Sequence, residues 1–459
     1  MENLGELGKY RKVHMVGIGG VSMSGIAEIL TSFGVNVTGS TLEKSPITEM
    51  LEKNNITVYI GHNQDNIKDC DVVVYTASIK PDNIELVTAR EHNIPTIERG
   101  DFLGLISKLY KESICISGTH GKTTTTSMIS LCFMEANLDP TIQVGALLKP
   151  LNANYRVGNS DYFIIEACEY VESYLKLFPK TEIILNIDND HLDYFKNFEN
   201  IKTSFINYAK LLPPAGLLVT NADDSTCLEV ASTVDCNVST YGIKNPKADY
   251  FANNINMDDN GFFKFDVYYK NELWDTFKLS VLGIHNVLNA LACIATCTHY
   301  NISKEDIKTA LLKFTGANRR FEYIGTFNQV SVFDDYAHHP TEINATYEAL
   351  KNKKYHEAWV VFQPHTYSRT KAHLKEFAQS LLKFNHVIIT DIYAARETNE
   401  YGISSVDLVN ELLSLGKKDV EYISSFEDIV KYLREHSNPN DIVLTLGAGT
   451  VTEIGPKLL

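Results

Sequence analysis

The chain has 459 residues, 44% of them hydrophobic, which is material for several cores and, at ordinary domain sizes, for about two to four domains. Its 42 Lys and Arg against 57 Asp and Glu give a formal charge of −15, which excludes a general field that attracts nucleic acid or an anionic membrane. An anionic ligand therefore has to be captured by local basic groups. The eight cysteines include no CxxC pair and sit mostly in apolar runs, which points to a reducing compartment. Met1-Glu2-Asn3 does not open a basic, then apolar, leader, and no run approaches the ~20 apolar residues of a membrane span, so a cytoplasmic location is expected.

Apolar strands are predicted at 13–16, 35–38 and 72–75, alternating with helical patterns such as 24–33; to about residue 107 this reads as a parallel, Rossmann-like unit. Gly17-Ile18-Gly19-Gly20 follows the first strand and precedes a helix, as either an anion site at a helix N-terminus or a structural turn. Ser22 stands where GxGxxG has its third glycine, and Gly39-Ser40-Thr41 lacks the acid that holds a ribose 2′-OH. NAD is thereby disfavoured and a nucleotide-sugar diphosphate favoured.

A second α/β block opens with Ile114-Cys115-Ile116-Ser117-Gly118-Thr119-His120-Gly121-Lys122-Thr123-Thr124. A strand runs into a glycine turn, ends in Gly-Lys-Thr and starts an apolar-periodic helix, which is the arrangement of a phosphate cradle. Backbone N–H groups converge on phosphate oxygens, Lys122 neutralises them, and the Thr123 hydroxyl is placed to ligate Mg²⁺. Ile116 replaces the first glycine of GxxxxGK[ST], so the turn rests on Gly118 and Gly121. Further strands are expected at 162–166, 182–187 and 217–220. Glu166 and Glu169 close the first of these, and Asp190-His191 follow the second. Carboxyl ends of parallel strands are where open α/β sheets bind ligands, so Glu166 and His191 are the candidates to share a metal with Thr123.

From 249 to 280 the sequence alternates and is rich in aromatics, with a turn at 258–261, so the central domain carries a β-rich annex. Helices are expected near 284–300 and 303–313. Asn286 and Asn289 are i,i+3 neighbours there, placed either to read a purine edge or to cap the helix. A third strand-helix series begins near Gly316, with strands at 330–333, 358–362, 386–390 and 441–446. Arg319-Arg320-Phe321, Asp334-Asp335, His338-His339 and His365 to Arg369 stand near its strand ends. Zinc is disfavoured because the paired histidines have no spaced third ligand and Pro340-Thr341-Glu342 reads as a helix start. Basic and imidazole groups instead suit phosphoryl or acyl transfer.

With these residues assembled, the whole chain resembles the ATP-dependent Mur ligases of peptidoglycan synthesis. The motifs that carry the likeness are 14–20, 118–126, the Glu166 segment, Asp190-His191, 285–289, Arg319-Arg320-Phe321 and 334–342. It implies an α/β protein of three domains: a UDP-sugar-binding Rossmann-like domain at 1–107, a central P-loop ATPase-like domain with the β-rich annex at 108–316, and a C-terminal, Rossmann-like amino-acid-binding domain at 317–459. The ATP site so implied comprises Gly118, Thr119, His120, Gly121, Lys122, Thr123 and Thr124, with Asn286 and Asn289 facing adenine and Arg320 and Asp335 contributed by the third domain. Thr123, Glu166 and His191 would hold Mg²⁺. Gly19 and Gly20 would bind the UDP-sugar, and His338, His365 and Arg369 would face its carboxylate and the incoming amino acid.

The activity implied is joining of L-alanine to the lactyl carboxylate of UDP-N-acetylmuramate through an acyl phosphate, yielding ADP and phosphate. Lys122, Glu166, His191, Arg320, Asp335 and His338 form the expected catalytic set, with His338 the hypothesised base. A monomer or homodimer without nucleic-acid or membrane partners is expected. Departures from the family pattern fall at Cys168, Val171 and Thr41, outside the phosphate loop and the metal candidates. The rival readings are ligation of a murein tripeptide, an ATP-gated binding protein and an NAD oxidoreductase, the last of which leaves the 118–126 loop without a role.

Overall fold

The computed structural model describes residues 5–459 apart from 77, 149, 150, 152, 260, 352 and 396. Its contacts divide the chain into two units: Met1–Ile187, Lys202–Tyr250 and Ala292–Ala310 form one, and Asp188–Ile201, Phe251–Leu291 and Leu311–Leu459 the other. In the first unit, a five-stranded parallel sheet has the spatial order Thr57–Ile60, Asn36–Thr41, Lys12–Val16, Val72–Tyr75, Thr96–Glu98. The central strand is buried from Val13 to Val16, as a strand flanked by helices on both faces must be. Strand order reverses beside it, so the loop 17–20 leaves the sheet at the switch point where such sheets bind ligands.

The second sheet of this unit runs Asn237–Gly242, Leu217–Asn221, Thr181–Ile184, Glu112–Ser117, Tyr162–Glu166, Thr141–Leu148, Ala153–Arg156. Glu112–Ser117 lies parallel to both neighbours, with Ile116 opposite Glu166 and Ser117 opposite Ile184. This register brings the ends of three strands level at the start of the 118–121 loop. The expected strand 182–187 is shorter than the sequence suggests, Thr181–Ile184. Leu185 N–H still reaches the Ser117 carbonyl, after which Asn186 turns to the loop and leaves the ladder.

In the second unit, Phe262–Tyr269 and Glu272–Leu282 pair antiparallel beside the strand Tyr250–Met257, the expected annex. Its expected turn includes Asn260, which lies outside the described residues. The C-terminal sheet has the order Glu322–Phe327, Val330–Asp335, Ile442–Leu446, Ala358–Phe362, His386–Ile389, Val420–Tyr422, parallel except for the opening hairpin. Successive side chains of a strand face opposite sides. Val360 and Phe362 accordingly join one core with Phe377 and Leu408, while Trp359 and Val361 join another with Ile429 and Leu433. Burial on both faces is why these strands read as continuous apolar runs. Among the described residues no helix is long and apolar enough to cross a membrane.

Candidate active site

The phosphate loop is built by glycines that no other residue replaces without strain. Gly121 caps the helix Lys122–Glu135 at φ 86°, and Gly118 sits at φ 132° with its α-carbon so near Leu185 and Asn186 that a β-carbon would lie 3.0 Å from the Leu185 backbone nitrogen. Asn186 fastens the turn from the other side: its Oδ1 accepts from His120 N–H at 2.8 Å, its Nδ2 donates to the His120 carbonyl at 2.9 Å, and its own carbonyl accepts from Thr119 N–H.

Lys122 Nζ donates to the carbonyls of Gly118 and Thr119 at 2.6 and 3.1 Å and pairs with both oxygens of Glu169 at 3.0 and 2.9 Å. Burial works to lower Lys122, and the Glu169 carboxylate outweighs it, so the ammonium stays charged. Next to it, the Thr123 hydroxyl donates to the two oxygens of Glu166 at 3.1 and 3.0 Å, and Gly145 N–H donates to Glu166 Oε2 at 2.8 Å. Thr123 and Glu166 thus present adjacent hard oxygens beside the loop. Gly19 and Gly20 close the other loop of this unit, Gly20 preceding the helix Val21–Ser32 at its N-cap. Ser22, in the first turn of that helix, accepts from Gln143 Nε2 at 2.9 Å and from Arg99 Nη1 at 3.2 Å.

In the second unit, His191 begins the short helix Leu192–Phe195 in the left-handed region, at φ 54°, with its N–H donating to Asp190 Oδ1 at 2.7 Å. Asp190 also receives Arg369 Nε and Nη2, at 3.1 and 2.9 Å. Burial works to raise Asp190, and the Arg369 guanidinium outweighs it, holding the carboxyl well below its usual range. Arg369 Nη1 lies 3.1 Å from His365 Nδ1. A guanidinium only donates, so His365 Nδ1 is an acceptor and its Nε2 carries the proton. His338 has the opposite tautomer: its Nδ1 is 2.9 Å from the Tyr336 carbonyl, which only accepts, leaving Nε2 with a lone pair. Burial lowers His338 to about 4 and His365 to about 3, so both are neutral imidazoles at physiological pH. Their rings meet edge-on at 5.7 Å, and Asp190, His191, Thr366, Ser368, Arg369 and His373 line a small pocket.

Asp335 is fully occupied in holding its own loop: it accepts from Phe321 N–H at 3.0 Å, Ala337 N–H at 2.8 Å and Thr346 Oγ1 at 3.2 Å, and burial raises it to about 6. Arg320 stands 3.8 Å from Glu342, and its neighbour Arg319 pairs with Asp334 at 3.0 Å. Asn286 and Asn289 lie on one buried face of the helix His285–His299, joined by a 2.9 Å bond from Asn289 Nδ2 to Asn286 Oδ1; Asn286 Nδ2 donates to the Leu282 carbonyl at 2.6 Å. Sequence reasoning missed Asn186, a strand-end residue with no motif of its own, and left Glu169 without a role.

Three family descriptions match along the chain: "Mur ligase family, catalytic domain" at 12–111, "Mur ligase middle domain" at 116–297 and "Mur ligase, glutamate ligase domain" at 319–449. The UDP-N-acetylmuramate–L-alanine ligase of Acetivibrio thermocellus is 48% identical, over 98% of this chain and 96% of its own length. Among solved structures, the UDP-N-acetylmuramate–alanine ligase MurC of Thermotoga maritima superposes with a TM-score of 0.82 at 29% identity, covering 97% of this chain and 98% of that one. A murein peptide ligase of Psychrobacter arcticus gives 0.72 at 25% identity over 98% of both chains. With a lysine-bearing phosphate loop, an adjacent hydroxyl–carboxylate pair and these matches along nearly its whole length, the chain belongs to the Mur ligase family.

Proposed function

We propose that this protein is an ATP-dependent amide ligase that joins L-alanine to the lactyl carboxylate of UDP-N-acetylmuramate, in peptidoglycan precursor synthesis. The observation that carries the reading is the end-to-end likeness to ligases of that named activity. The carboxylate attacks the γ-phosphorus of ATP, forming an acyl phosphate and releasing ADP; the alanine amine then adds to the acyl carbon, and phosphate leaves. Lys122 offsets charge on the phosphates, and the amides of Gly118 to Thr124 cradle them. The Asn286–Asn289 pair is assigned to adenine, Arg320 to the phosphates and Asp335 to holding the loop that carries Arg320. Gly19 and Gly20 are assigned to the diphosphate of the UDP-sugar.

The side chains beside the loop fit a hard divalent cation: Thr123 Oγ1 and the Glu166 carboxylate are adjacent oxygen donors, the type Mg²⁺ selects. These two, with His191, would hold Mg²⁺, which supplies charge neutralisation on the nucleotide. Arg369 and the His365 Nε2–H are suited to grip a carboxylate. His338 Nε2 offers a lone pair for the proton lost by nitrogen in the second step. Its low proton affinity fits the acidic ammonium of the tetrahedral adduct better than free alanine. Because the substrates are nucleotides, the cytoplasm is the proposed place of action.

The test is phosphate release from MgATP with UDP-N-acetylmuramate, comparing no acceptor, L-alanine, other amino acids and L-alanyl-γ-D-glutamyl-meso-diaminopimelate, with the product weighed by mass spectrometry. Release that needs both the UDP-sugar and L-alanine, with a product one alanyl residue heavier, is expected. Release with the tripeptide alone would move the assignment to peptide recycling.

A further inference from the structure

Behind the phosphate loop the first unit contains a group of side chains that the ligase reaction does not use. Cys132 lies on the helix Lys122–Glu135, and Cys293 and Cys297, four residues apart, lie on one face of the helix His285–His299. All three are fully buried. Cys132 Sγ is 3.5 Å from Cys293 Sγ, Cys293 Sγ is 3.8 Å from Cys297 Sγ, and the three sulfurs all lie within 4.8 Å of one another.

From this triangle we propose that Cys132, Cys293 and Cys297 form a site for a soft, thiophilic cation of low coordination number, with Cu(I) the ion it fits. Metal–sulfur bonds of ~2.3 Å place sulfurs ~3.8 Å apart around a tetrahedral ion and ~4.0 Å apart around a trigonal one. The two edges of 3.5 and 3.8 Å lie within a few tenths of an ångström of the trigonal spacing or slightly more, and the third, within 4.8 Å, is of the same scale. Thiolates without oxygen or nitrogen donors select soft ions over Mg²⁺ or Ca²⁺. A structural zinc site takes four ligands, and among the described residues this group has three. Cu(I) is satisfied by three sulfurs.

Charge favours the same ion. When one Cu⁺ enters and one thiol proton leaves for solvent, the buried group stays neutral, whereas a divalent ion must displace two protons to do so. The sulfurs of Cys132 and Cys293, 3.5 Å apart, and of Cys293 and Cys297, 3.8 Å apart, are close enough for a remaining S–H to hydrogen-bond to the thiolate so formed. The bound ion would tie the helix opened by Lys122 to its neighbour. The ordinary role of such residues is that of small apolar side chains in a core, and the experiment separates the two.

The fully reduced, full-length protein is titrated anaerobically with Cu(I) in the presence of bicinchoninate as competitor. Retention of one Cu(I) per chain, with X-ray absorption showing three sulfur neighbours at ~2.3 Å, is expected. That copper is lost from Cys132→Ala, Cys293→Ala and Cys297→Ala and kept by Cys236→Ala. Equal retention by wild type and Cys293→Ala, or a two-coordinate or nitrogen-containing shell in the wild type, overturns the proposal. The wild-type absorption spectrum decides even where a variant does not fold.

Discussion

Lys122 neutralises Glu169, a carboxylate only 2% exposed, and this can be separated from the phosphate-binding role proposed for it. Lys122→Met is expected to lower phosphate release at least ~100-fold. It also removes the cation facing a buried anion, a change that costs about 3 kcal/mol or more. The double variant Lys122→Met/Glu169→Gln should recover the melting temperature without recovering activity; recovery of neither would mean that Glu169 is held by something other than Lys122. His338 gives a test of a different kind. Burial holds it at about 4, so it is neutral throughout the physiological range, and the kcat/KM profile should show no inflection near 6.5 from this group. His338→Gln should lower kcat by about 100-fold with KM for MgATP unchanged; retained activity with an unaltered pH dependence would remove it as the base. The third residue is Glu85. In the sequence it looks like a surface acid in a first helical turn, yet it is buried, accepting from Ser40 at 2.6 Å and Asn66 at 2.6 Å and facing His14 and His62. Burial works to raise Glu85, and His14, Ser40 and Asn66 bring it down from 4.5 to about 2. Its folded value is the depressed one, so its contribution is complete above 4.5 and disappears as pH falls from 4.5 through 2. Glu85→Gln should therefore cost about 3 kcal/mol at pH 7, with the difference from wild type narrowing between pH 4.5 and 2 in urea unfolding midpoints.

At the scale of elements, periodicity located the strands and helices, and strand-end position selected the candidate site. Glu166 was legible because it ends an apolar run, and the register that sets it opposite Ile116 makes that ending meaningful. Asn186 was not legible, because its work is a pair of hydrogen bonds to His120 across a strand pairing that no local pattern encodes. Glu182 was missed for the opposite reason. It sits inside the strand Thr181–Ile184, where alternation would put a charged residue outward, but both sheet faces are covered here and it is fully buried. Among the described residues neither of its carboxyl oxygens has a hydrogen-bond partner, and burial raises it well above 4.5. Glu182 therefore stays protonated in the folded chain while the unfolded chain ionises. The raised acid favours folding least where pH is high: its stability penalty is absent below 4.5 and grows as pH rises from there toward the folded value. Glu182→Gln should leave the unfolding midpoint near its wild-type value at pH 4 and raise it progressively from pH 5 to 8; a constant difference across that range would show that Glu182 has a partner for its charge.

For the molecule as a whole, composition argues against a general attraction for polyanions and identifies no partner. The charge of −15 says nothing about which nucleotide binds, whereas seven short stretches, 14–20, 118–126, the Glu166 segment, 190–191, 285–289, 319–321 and 334–342, carried the family resemblance, and 118–126 among them obeys a steric and electrostatic demand of phosphate binding. The same charge nevertheless makes a prediction for the intact enzyme. MgATP and the UDP-sugar are anions that must approach a net negative protein, while the groups assigned to them, such as Lys122 and Arg369, are largely buried and act within hydrogen-bonding distance. Salt shortens the Debye length from ~30 Å at 0.01 M to ~8 Å at 0.15 M, which screens the long-range repulsion and leaves the buried contacts nearly untouched. Repulsion is the term that salt removes, so kcat/KM for MgATP should rise about twofold between those two ionic strengths, equally with potassium and choline chloride. A fall over the same range would mean that a local positive field around the phosphate loop outweighs the charge of the whole chain during encounter.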